Sequence, residues 1–367
     1  MRSHLLVIFI LTALTGLQNP AFSASYFVSC SGDDNADGSE AQPWKTMARA
    51  SQALDASDKV FVSGGKYQEG FVLSGLKGTK DHPIVFSAAE GQRVLVDLSA
   101  KTSSGIRIEG CAYVMIRNLE IAGVAQGAGI TINNSHHCII EGNVIHGSKG
   151  VGIRLTASND NVVQGNICYH NDTGIYAGSG STRNLIEGNV CAFGNRSSEN
   201  ADGIASSDCV ENTYRFNVLV GNNDDGLDTW TSKRNLIEWN FACANGDQKE
   251  GDGNGFKLGG KWKHRGKDDP WNGGENVVRN NLATWNLSTG FTDNGSSKNK
   301  YEGNASFGNL NTGSYASIKH TDPNEAERIR SRIRERFAEL IAKRIIRPTI
   351  NPLPVGIGMI RELKVWP

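Results

Sequence analysis

The sequence predicts an all-β fold, a parallel β-helix in which short strands stack coil upon coil, with one helix near each end. The first observation is a repeat of about 23 residues that carries asparagine at a fixed point after a Val/Ile-type run. The repeat asparagines are Asn143, Asn166, Asn189, Asn217, Asn240, Asn281 and Asn304. Such units are too short and too rich in glycine for helix pairs, whereas branched apolar runs between turn residues are typical of strands.

The second observation is a glycine followed by a large apolar residue, which recurs once in each coil. The pairs are Gly152-Ile153, Gly174-Ile175, Gly203-Ile204, Gly226-Leu227, Gly255-Phe256 and Gly290-Phe291. Equal coils place equivalent positions about 4.8 Å apart, so the apolar residues are expected to stack inside the solenoid. The recurring asparagines are expected to form an inward ladder of amide hydrogen bonds.

The two ends of the chain depart from this repeat. Residues 1–23 resemble a secretory signal, with Arg2 and His4 before an apolar run that ends at small residues. That run is too short to span a bilayer as a mature helix, so we expect a secreted or periplasmic protein without stable membrane insertion. Residues 24–317 are the predicted β-helix domain, and residues 318–367 are a predicted helical cap or tail.

A helix is predicted near each end of the solenoid. Residues 43–56 place Met47, Ala50 and Leu54 on one face, and this helix is expected to cover the open first coil, as terminal repeats require. The second predicted helix is basic and amphipathic, and we interpret it as a cap on the last coil, with a membrane or partner element as the alternative. Its apolar face consists of Ile329, Ile333, Phe337, Leu340, Ile341 and Ile345.

The cysteines indicate buried thiols more than a disulfide framework. There are seven of them, an odd number, and no metal-ligand spacing occurs among them. Cys168 and Cys191 each lie two residues after a repeat asparagine, so they are expected to stack on adjacent coils as part of the apolar core.

Three neighbouring coils carry carboxylates around the Gly-apolar position. Their segments are Asn200-Ala201-Asp202-Gly203-Ile204, Asn223-Asp224-Asp225-Gly226-Leu227-Asp228 and Gly253-Asn254-Gly255-Phe256-Lys257. When the segments are aligned on the glycine, Asp202 lies over Asp225, and Asp228 lies beside Lys257. Because side chains alternate along a strand, Asp228 and Lys257 are expected to point outward when the preceding apolar residues point inward.

Asp202, Asp224, Asp225 and Asp228 are thus predicted to converge on a small outer patch. Carboxylates this close repel one another and do not all remain ionised unaided, so a divalent cation is expected among them. Oxygen ligands with room for water and a substrate carboxylate suit Ca²⁺ better than Mg²⁺, and the absence of His or Cys at these positions argues against zinc. The alternative is that each Asp-Gly pair simply marks a turn.

The three segments resemble the motifs of the family 9 polysaccharide lyases, and of the pectate lyases of that group in particular. The resemblance covers roughly Ser25 to Asn309. It implies a right-handed parallel β-helix, Ca²⁺ bound by the four aspartates, and Lys257 as the base that abstracts the C5 proton of a uronate. The family includes members with other polyuronate preferences, and the C-terminal segment carries no part of the resemblance.

The residues are consistent with β-elimination on a uronate. A cation that bridges the substrate carboxylate stabilises the enolate-like transition state. Lysine acts as a base only when neutral, and its reference pKa is about 10.4. Nearby aspartates raise that pKa, whereas bound Ca²⁺ opposes them. We therefore expect a Ca²⁺ requirement and an alkaline optimum.

A basic, tryptophan-bearing segment follows Lys257 and predicts contacts with a polyanionic sugar chain such as polygalacturonate. Lysine and arginine pair with carboxylates, and tryptophan stacks on sugar faces. An ordinary solvated loop is the alternative, and an exported protein is not expected to meet nucleic acid. A monomer is expected. The predicted substrate-binding residues are Trp230, Lys261, Trp262, Lys263 and Arg265.

Two rival functions remain open from the residues alone. A glycoside hydrolase on the same scaffold, such as a polygalacturonase, would use Asp202 with Asp224 and Asp225 as acid and base, although the Gly-His-Gly motif of such hydrolases does not occur here. A non-catalytic carbohydrate-binding β-helix protein would have no need of Lys257 beside the carboxylates.

Overall fold

The computed structural model describes residues 23–99, 104–195, 200–246, 251–261, 266, 269, 272–296, 298–311 and 323–346. Over these residues the chain winds as a parallel β-helix with three parallel sheets along its length. Residues 1–22 of the predicted signal and the predicted domain boundary at 317 lie outside the described residues, so both stay predictions.

Each coil contributes strands to three sheets, and all strand counts refer to the described residues. Sheet 1 has eleven strands: Ser25–Val28, Lys59–Val62, Ile84–Ala88, Val114–Arg117, Ile139–Glu141, Val162–Gln164, Leu185–Glu187, Thr213–Arg215, Leu236–Glu238, Val277–Arg279 and Lys300–Glu302. Sheet 2 has ten: Gly65–Tyr67, Val94–Asp97, Glu120–Ala122, Val144–His146, Ile167–Tyr169, Val190–Ala192, Val218–Val220, Phe241–Cys243, Leu282–Thr284 and Ala305–Phe307. Sheet 3 has nine: Val72–Ser74, Ile106–Glu109, Ala128–Asn133, Val151–Thr156, Ile175–Gly178, Ile204–Ser206, Leu227–Asp228, Phe256–Lys257 and Phe291–Thr292.

The coils stack in the predicted register, and the Gly-apolar residues form part of the core. Ile153 pairs with Ile175, and the same column continues without a shift to Phe256 and Phe291. Every member of this column is at most 3% exposed. Cys168 also lies beside Cys191, both buried and both free thiols, as expected.

The predicted asparagine ladder is present at one corner of the coils. The backbone N–H of Asn166 and its side-chain amide both donate to Oδ1 of Asn189, at 2.9 and 3.0 Å. Two further ladders, which the sequence did not predict, occupy other corners. They consist of Asn161, Asn184, Asn212, Asn235, Asn276 and Asn299, and of Asn222, Asn245, Asn286 and Asn309.

The residue before each predicted ladder asparagine has left-handed backbone geometry. Glycine fills this position at Gly142, Gly165 and Gly188, with φ of 61–62°, because glycine adopts positive φ without a Cβ penalty. In later coils the position is held by Phe216 and Trp239, with φ of 55° and 57°. Their side chains therefore stand on the outside of the corner.

Helix α1 (Met47–Ser51) is shorter than the predicted helix over 43–56. The reason is that Trp44 forms a β-bridge with Val28, so the chain is extended just before the helix. Thr46 caps the N-terminus by accepting a hydrogen bond from the backbone N–H of Arg49 at 3.0 Å. Met47, Ala50 and Leu54 are buried in the core, as expected.

Helix α2 (Pro323–Ala342) packs against the side of the solenoid, where it reaches Ala305 and Phe307 of the last coil, and this corrects the expected cap on that coil. It lies along the outer face of sheet 2, where outward positions are apolar in successive coils. A helix of this length spans about 30 Å, which matches about six coil steps of ~4.8 Å. Residues from both surfaces share one apolar cluster: Val144, Ile167, Val190, Val218, Phe241 and Leu282 of sheet 2, and Ala326, Ile329, Ile333, Phe337 and Leu340 of α2.

Polar contacts fix the direction in which α2 runs. The Arg336 guanidinium pairs with the Glu187 carboxylate at 2.6 Å. Arg332 lies 5.6 Å from the ring centre of Phe216, and Arg328 lies 4.9 Å from that of Trp239. Phe216 and Trp239, the aromatic residues at left-handed corners, thus contact α2. Among the described residues, no helix combines the length and the apolar character that crossing a bilayer requires.

Replacing a ladder asparagine is expected to destabilise the protein strongly. Asn217 is fully buried and exchanges hydrogen bonds with Asn189 and Asn240. Asn217→Ala leaves the backbone N–H of Asn189 without its acceptor, so the free energy of unfolding should fall by at least ~2 kcal/mol. Denaturant unfolding measures this change, with the exposed Asn311→Ala as the control. Equal midpoints for the two variants would contradict a structural role for the ladder.

Truncating the centre of the α2 interface is expected to loosen the helix. Phe337 is fully buried against sheet 2, and Phe337→Ala should cost about 3–5 kcal/mol of packing free energy. The exposed apolar face of sheet 2 should then bind a hydrophobic dye, and α2 should become sensitive to protease. Ala338→Ser, on the exposed face of α2, is the matched control. Unchanged dye binding and protease resistance would show that the packing of α2 is unimportant.

Candidate active site and metal centre

The structure brings Lys257 and the four predicted aspartates together on the outer side of sheet 3. Asp228 and Lys257 are register partners on adjacent coils. The Lys257 ammonium lies 3.1 Å from Asp228 Oδ2 and 3.3 Å from Asp225 Oδ2. The expected outer patch is nevertheless buried: Asp228 and Lys257 are only 5% and 8% exposed, because cleft walls rise around them.

Asp202 and Asp225 occupy a ladder of their own. The backbone N–H of Asp225 donates to Asp202 Oδ1 at 3.1 Å. The backbone N–H of Asn254 and its side-chain amide donate to Asp225 Oδ1 at 2.7 and 2.9 Å. Thr289 continues the column by donating to Asn254. In two coils of this column an aspartate occupies the ladder position that asparagine holds elsewhere. A carboxylate oxygen therefore replaces the side-chain NH₂ group of an asparagine.

Asp224 is held beside this column by backbone groups. Its two carboxylate oxygens accept from the backbone N–H of Asn200 at 3.1 Å and from that of Asp252 at 2.5 Å. Asp252 itself was not predicted, yet its carboxylate lies 2.7 Å from the Lys257 ammonium. The sequence carried no usable signal for Asp252, because the extra residues before Gly253 interrupt the repeat that gave the other registers.

The ionisation of these groups is strongly perturbed. Burial, and then the neighbouring aspartates, raise the pKa of Asp202 well above its ordinary range. Burial also raises the pKa of Asp225 well above that range, although Lys257 opposes it, and the pKa of Asp228 rises to about 6. Burial disfavours the Lys257 ammonium, but the attraction of Asp228 and Asp225 outweighs it, so the pKa of Lys257 is raised.

The donor set fits a hard divalent cation. Oxygens of Asp202, Asp225 and Asp228 lie within 4.8 Å of one another, and so do oxygens of Asp224, Asp225 and Asp252. Asp228 Oδ1 is buried and makes no hydrogen bond within the described part of the chain. Oxygen-only donors around a shared carboxylate suit Ca²⁺, which accepts six to eight oxygen ligands. The carboxylates outnumber the one lysine, so a bound cation would relieve the repulsion among them.

A cleft of about 620 Å³ opens above Lys257 and Asp228. Trp230 lies in its lining, with its ring centre 5.9 Å from the Lys257 ammonium. Gly260 packs on the same ring, where a Cβ would come within 2.5 Å of it. Lys261 follows as an exposed residue outside the cleft lining. Trp262, Lys263 and Arg265 lie outside the described residues, so their predicted contacts stay predictions.

Arg154 and Tyr176 also line the cleft, and they were not predicted. Both follow the inward residue of a Gly-apolar pair, which is the position that Asp228 and Lys257 hold in later coils. The signal was therefore present in the repeat. The position directly after the apolar residue of each Gly-apolar pair holds Arg154 and Tyr176 in the earlier coils.

Comparisons with known proteins agree with this architecture. The chain resembles the solved pectate lyase Pel9A at 19% identity, over 82% of each chain, with a TM-score of 0.54. It resembles a rhamnogalacturonan lyase at 18% identity, over 77% of this chain and 74% of that one, with a TM-score of 0.54. It also resembles the lacto-N-biosidase of Eubacterium ramulus at 16% identity, over 77% of this chain and 60% of that one, with a TM-score of 0.58.

These likenesses establish the fold and leave the activity open, since enzymes of different reaction types share it. No curated protein sequence matches the chain. A family model described as the Pel9A-like right-handed β-helix region matches residues 26–326. That match confirms the predicted handedness and covers most of the chain. The chain therefore belongs to the Pel9A-like right-handed β-helix family.

Proposed function

We propose that this protein is a Ca²⁺-dependent pectate lyase, which cleaves polygalacturonate by β-elimination with Lys257 as the base. The position of the Lys257 ammonium gives the main support for this function. The ammonium lies on the floor of an open cleft and within 3.3 Å of two buried carboxylates, Asp225 and Asp228, on the adjacent coil. An amine at such a site can take a proton from a substrate whose carboxylate is drawn to the same cluster.

The chain's own residues divide the work of the reaction. Asp202, Asp224, Asp225 and Asp228 would hold the cation, and Asp252 adds a carboxylate at the rim. Bound Ca²⁺ would attract the substrate carboxylate and make the neighbouring C5 proton more acidic. Lys257 then takes that proton at Nζ, a C4–C5 double bond forms, and the C4–O bond breaks. The leaving oxygen takes a proton from solvent.

The geometry favours this mechanism over hydrolysis by two carboxylates. Glycosidases separate their acid and base, or acid and nucleophile, by about 5–9.5 Å. The oxygens of Asp202, Asp225 and Asp228 lie within 4.8 Å of one another, and a lysine ammonium lies between two of the neighbouring carboxylates. This arrangement suits a shared cation better than an acid and a base with separate roles. Export of the protein and its monomeric state stay predictions.

Removing the amine is expected to abolish elimination. Lys257→Ala should lower kcat on polygalacturonate by about 10²–10⁴-fold, the contribution typical of a positioned base. Ultraviolet absorbance of the unsaturated product measures it, with the exposed Lys298→Ala as the matched control. New reducing ends without absorbance would show a hydrolase instead. If neither signal appears on this or other uronans, the protein binds carbohydrate without cleaving it.

Activity is expected to require Ca²⁺ through Asp225. A chelator should remove the absorbance signal, and added Ca²⁺ should restore it. Asp225→Asn keeps an oxygen for the hydrogen bonds from Asn254 but removes a shared charge, so restoration should need at least tenfold more Ca²⁺. The exposed Asp37→Asn is the control. Full activity in chelator would contradict a role for the cation.

The rate is expected to rise with pH across the alkaline range. Lys257 must be neutral to accept a proton, and its pKa is raised by Asp228 and Asp225 despite burial. Below that pKa the neutral fraction grows about tenfold for each pH unit, so kcat at saturating Ca²⁺ should climb steadily. A profile that is flat from weakly acidic to alkaline pH would argue against Lys257 as the base.

A further inference from the structure

A single column of outward residues crosses sheet 3 along the axis of the solenoid. Its members are the register partners Arg107, Thr131, Arg154, Tyr176, Ala205, Asp228 and Lys257. Adjacent members are one strand spacing apart, about 4.8 Å. Arg154 is therefore four spacings, about 19 Å, from the residue proposed as the base.

Arg154 differs from the other cations of this column because no carboxylate of the described residues forms an ion pair with it. Its guanidinium makes no ion pair among the described residues, whereas Arg107 pairs with Glu109 at 2.9 Å. Lys257 is surrounded by three aspartates. A half-buried guanidinium without an ion-pair partner in a cleft lining is available to pair with an anionic ligand that enters the cleft.

The side chain of Arg154 is also held in a defined orientation. Its guanidinium carbon lies 5.2 Å from the ring centre of Tyr176, the next member of the column. Such a cation–π contact supports the planar group from one side and leaves its N–H donors for a partner. Ala205 separates Tyr176 from Asp228, and its small side chain leaves the floor of the cleft clear between the two ends.

We propose that Arg154, supported by Tyr176, is a binding subsite for a second uronate of the polymer that Lys257 cleaves. This inference rests on the proposed function. The planar guanidinium offers two parallel N–H donors, which match a carboxylate in a bidentate pair. The subsite selects chains that carry negative charge about 19 Å along the solenoid axis from the strand position of Lys257. It also requires the substrate to be several sugar units long.

The test compares long and short substrates. Arg154→Gln should raise KM on polygalacturonate by about 10–100-fold, the loss expected for a charge-assisted hydrogen bond, while kcat changes little. On a trimer too short to reach Arg154, the effect on KM should be confined to about twofold. Arg183→Gln is the matched control, because Arg183 pairs with Asp160 outside the cleft. An equal KM rise on trimer and polymer, or none on either, would overturn the subsite.

A binding measurement separates this inference from the proposed function. In the Lys257→Ala background, calorimetry with a long oligogalacturonate should show weaker binding when Arg154→Gln is added. With the methyl-esterified oligomer, the same substitution should have no effect. If the wild type proves inactive but this difference is found, the subsite stands and the lyase proposal fails. If the wild type is active and the difference is absent, the subsite alone fails.

Discussion

The stacked side-chain ladders at the corners of the coils hold the whole solenoid in register. Each buried asparagine receives a backbone N–H from one neighbouring coil and donates its amide to the next, as Asn189 does with Asn166 and Asn217. A slip of one residue would leave these buried groups unsatisfied along the whole solenoid. Register is therefore fixed over many coils, and outward side chains far apart in sequence are fixed relative to one another.

The candidate site uses the same device with different side chains. Asp202 and Asp225 take ladder positions, and their backbone-bonded oxygens hold the carboxylates close together. The scaffold therefore keeps these carboxylates where burial, and then repulsion from neighbouring aspartates, raises the pKa of each. Unfavourable electrostatics of this kind are typical of functional sites. In the proposed reaction a bound cation would relieve this repulsion, and Lys257, within 3.3 Å of the cluster, would take the proton next to the carboxylate that the cation attracts.

Most of the solenoid and the centre of the site could be predicted, because both follow from a repeat period that is visible in the sequence. The inward column from Ile153 to Phe291 and the pairing of Asp228 with Lys257 are examples. What could not be predicted lies where the period breaks or where a surface has two possible partners. Asp252 follows an insertion, and α2 packs on the side of sheet 2 although its apolar face alone suits either surface.

Calorimetric titration with Ca²⁺ measures whether the buried aspartates form a cation site. Saturable binding is expected, tighter for Ca²⁺ than for Mg²⁺, because Ca²⁺ accepts six to eight oxygen ligands in flexible geometry whereas Mg²⁺ requires a near-ideal octahedron. Binding should weaken as the pH falls toward the pKa of Asp228, about 6, since protons then compete for the same oxygens. Absence of saturable binding, or identical binding in the Asp225→Asn variant, would show that these aspartates do not form a cation site.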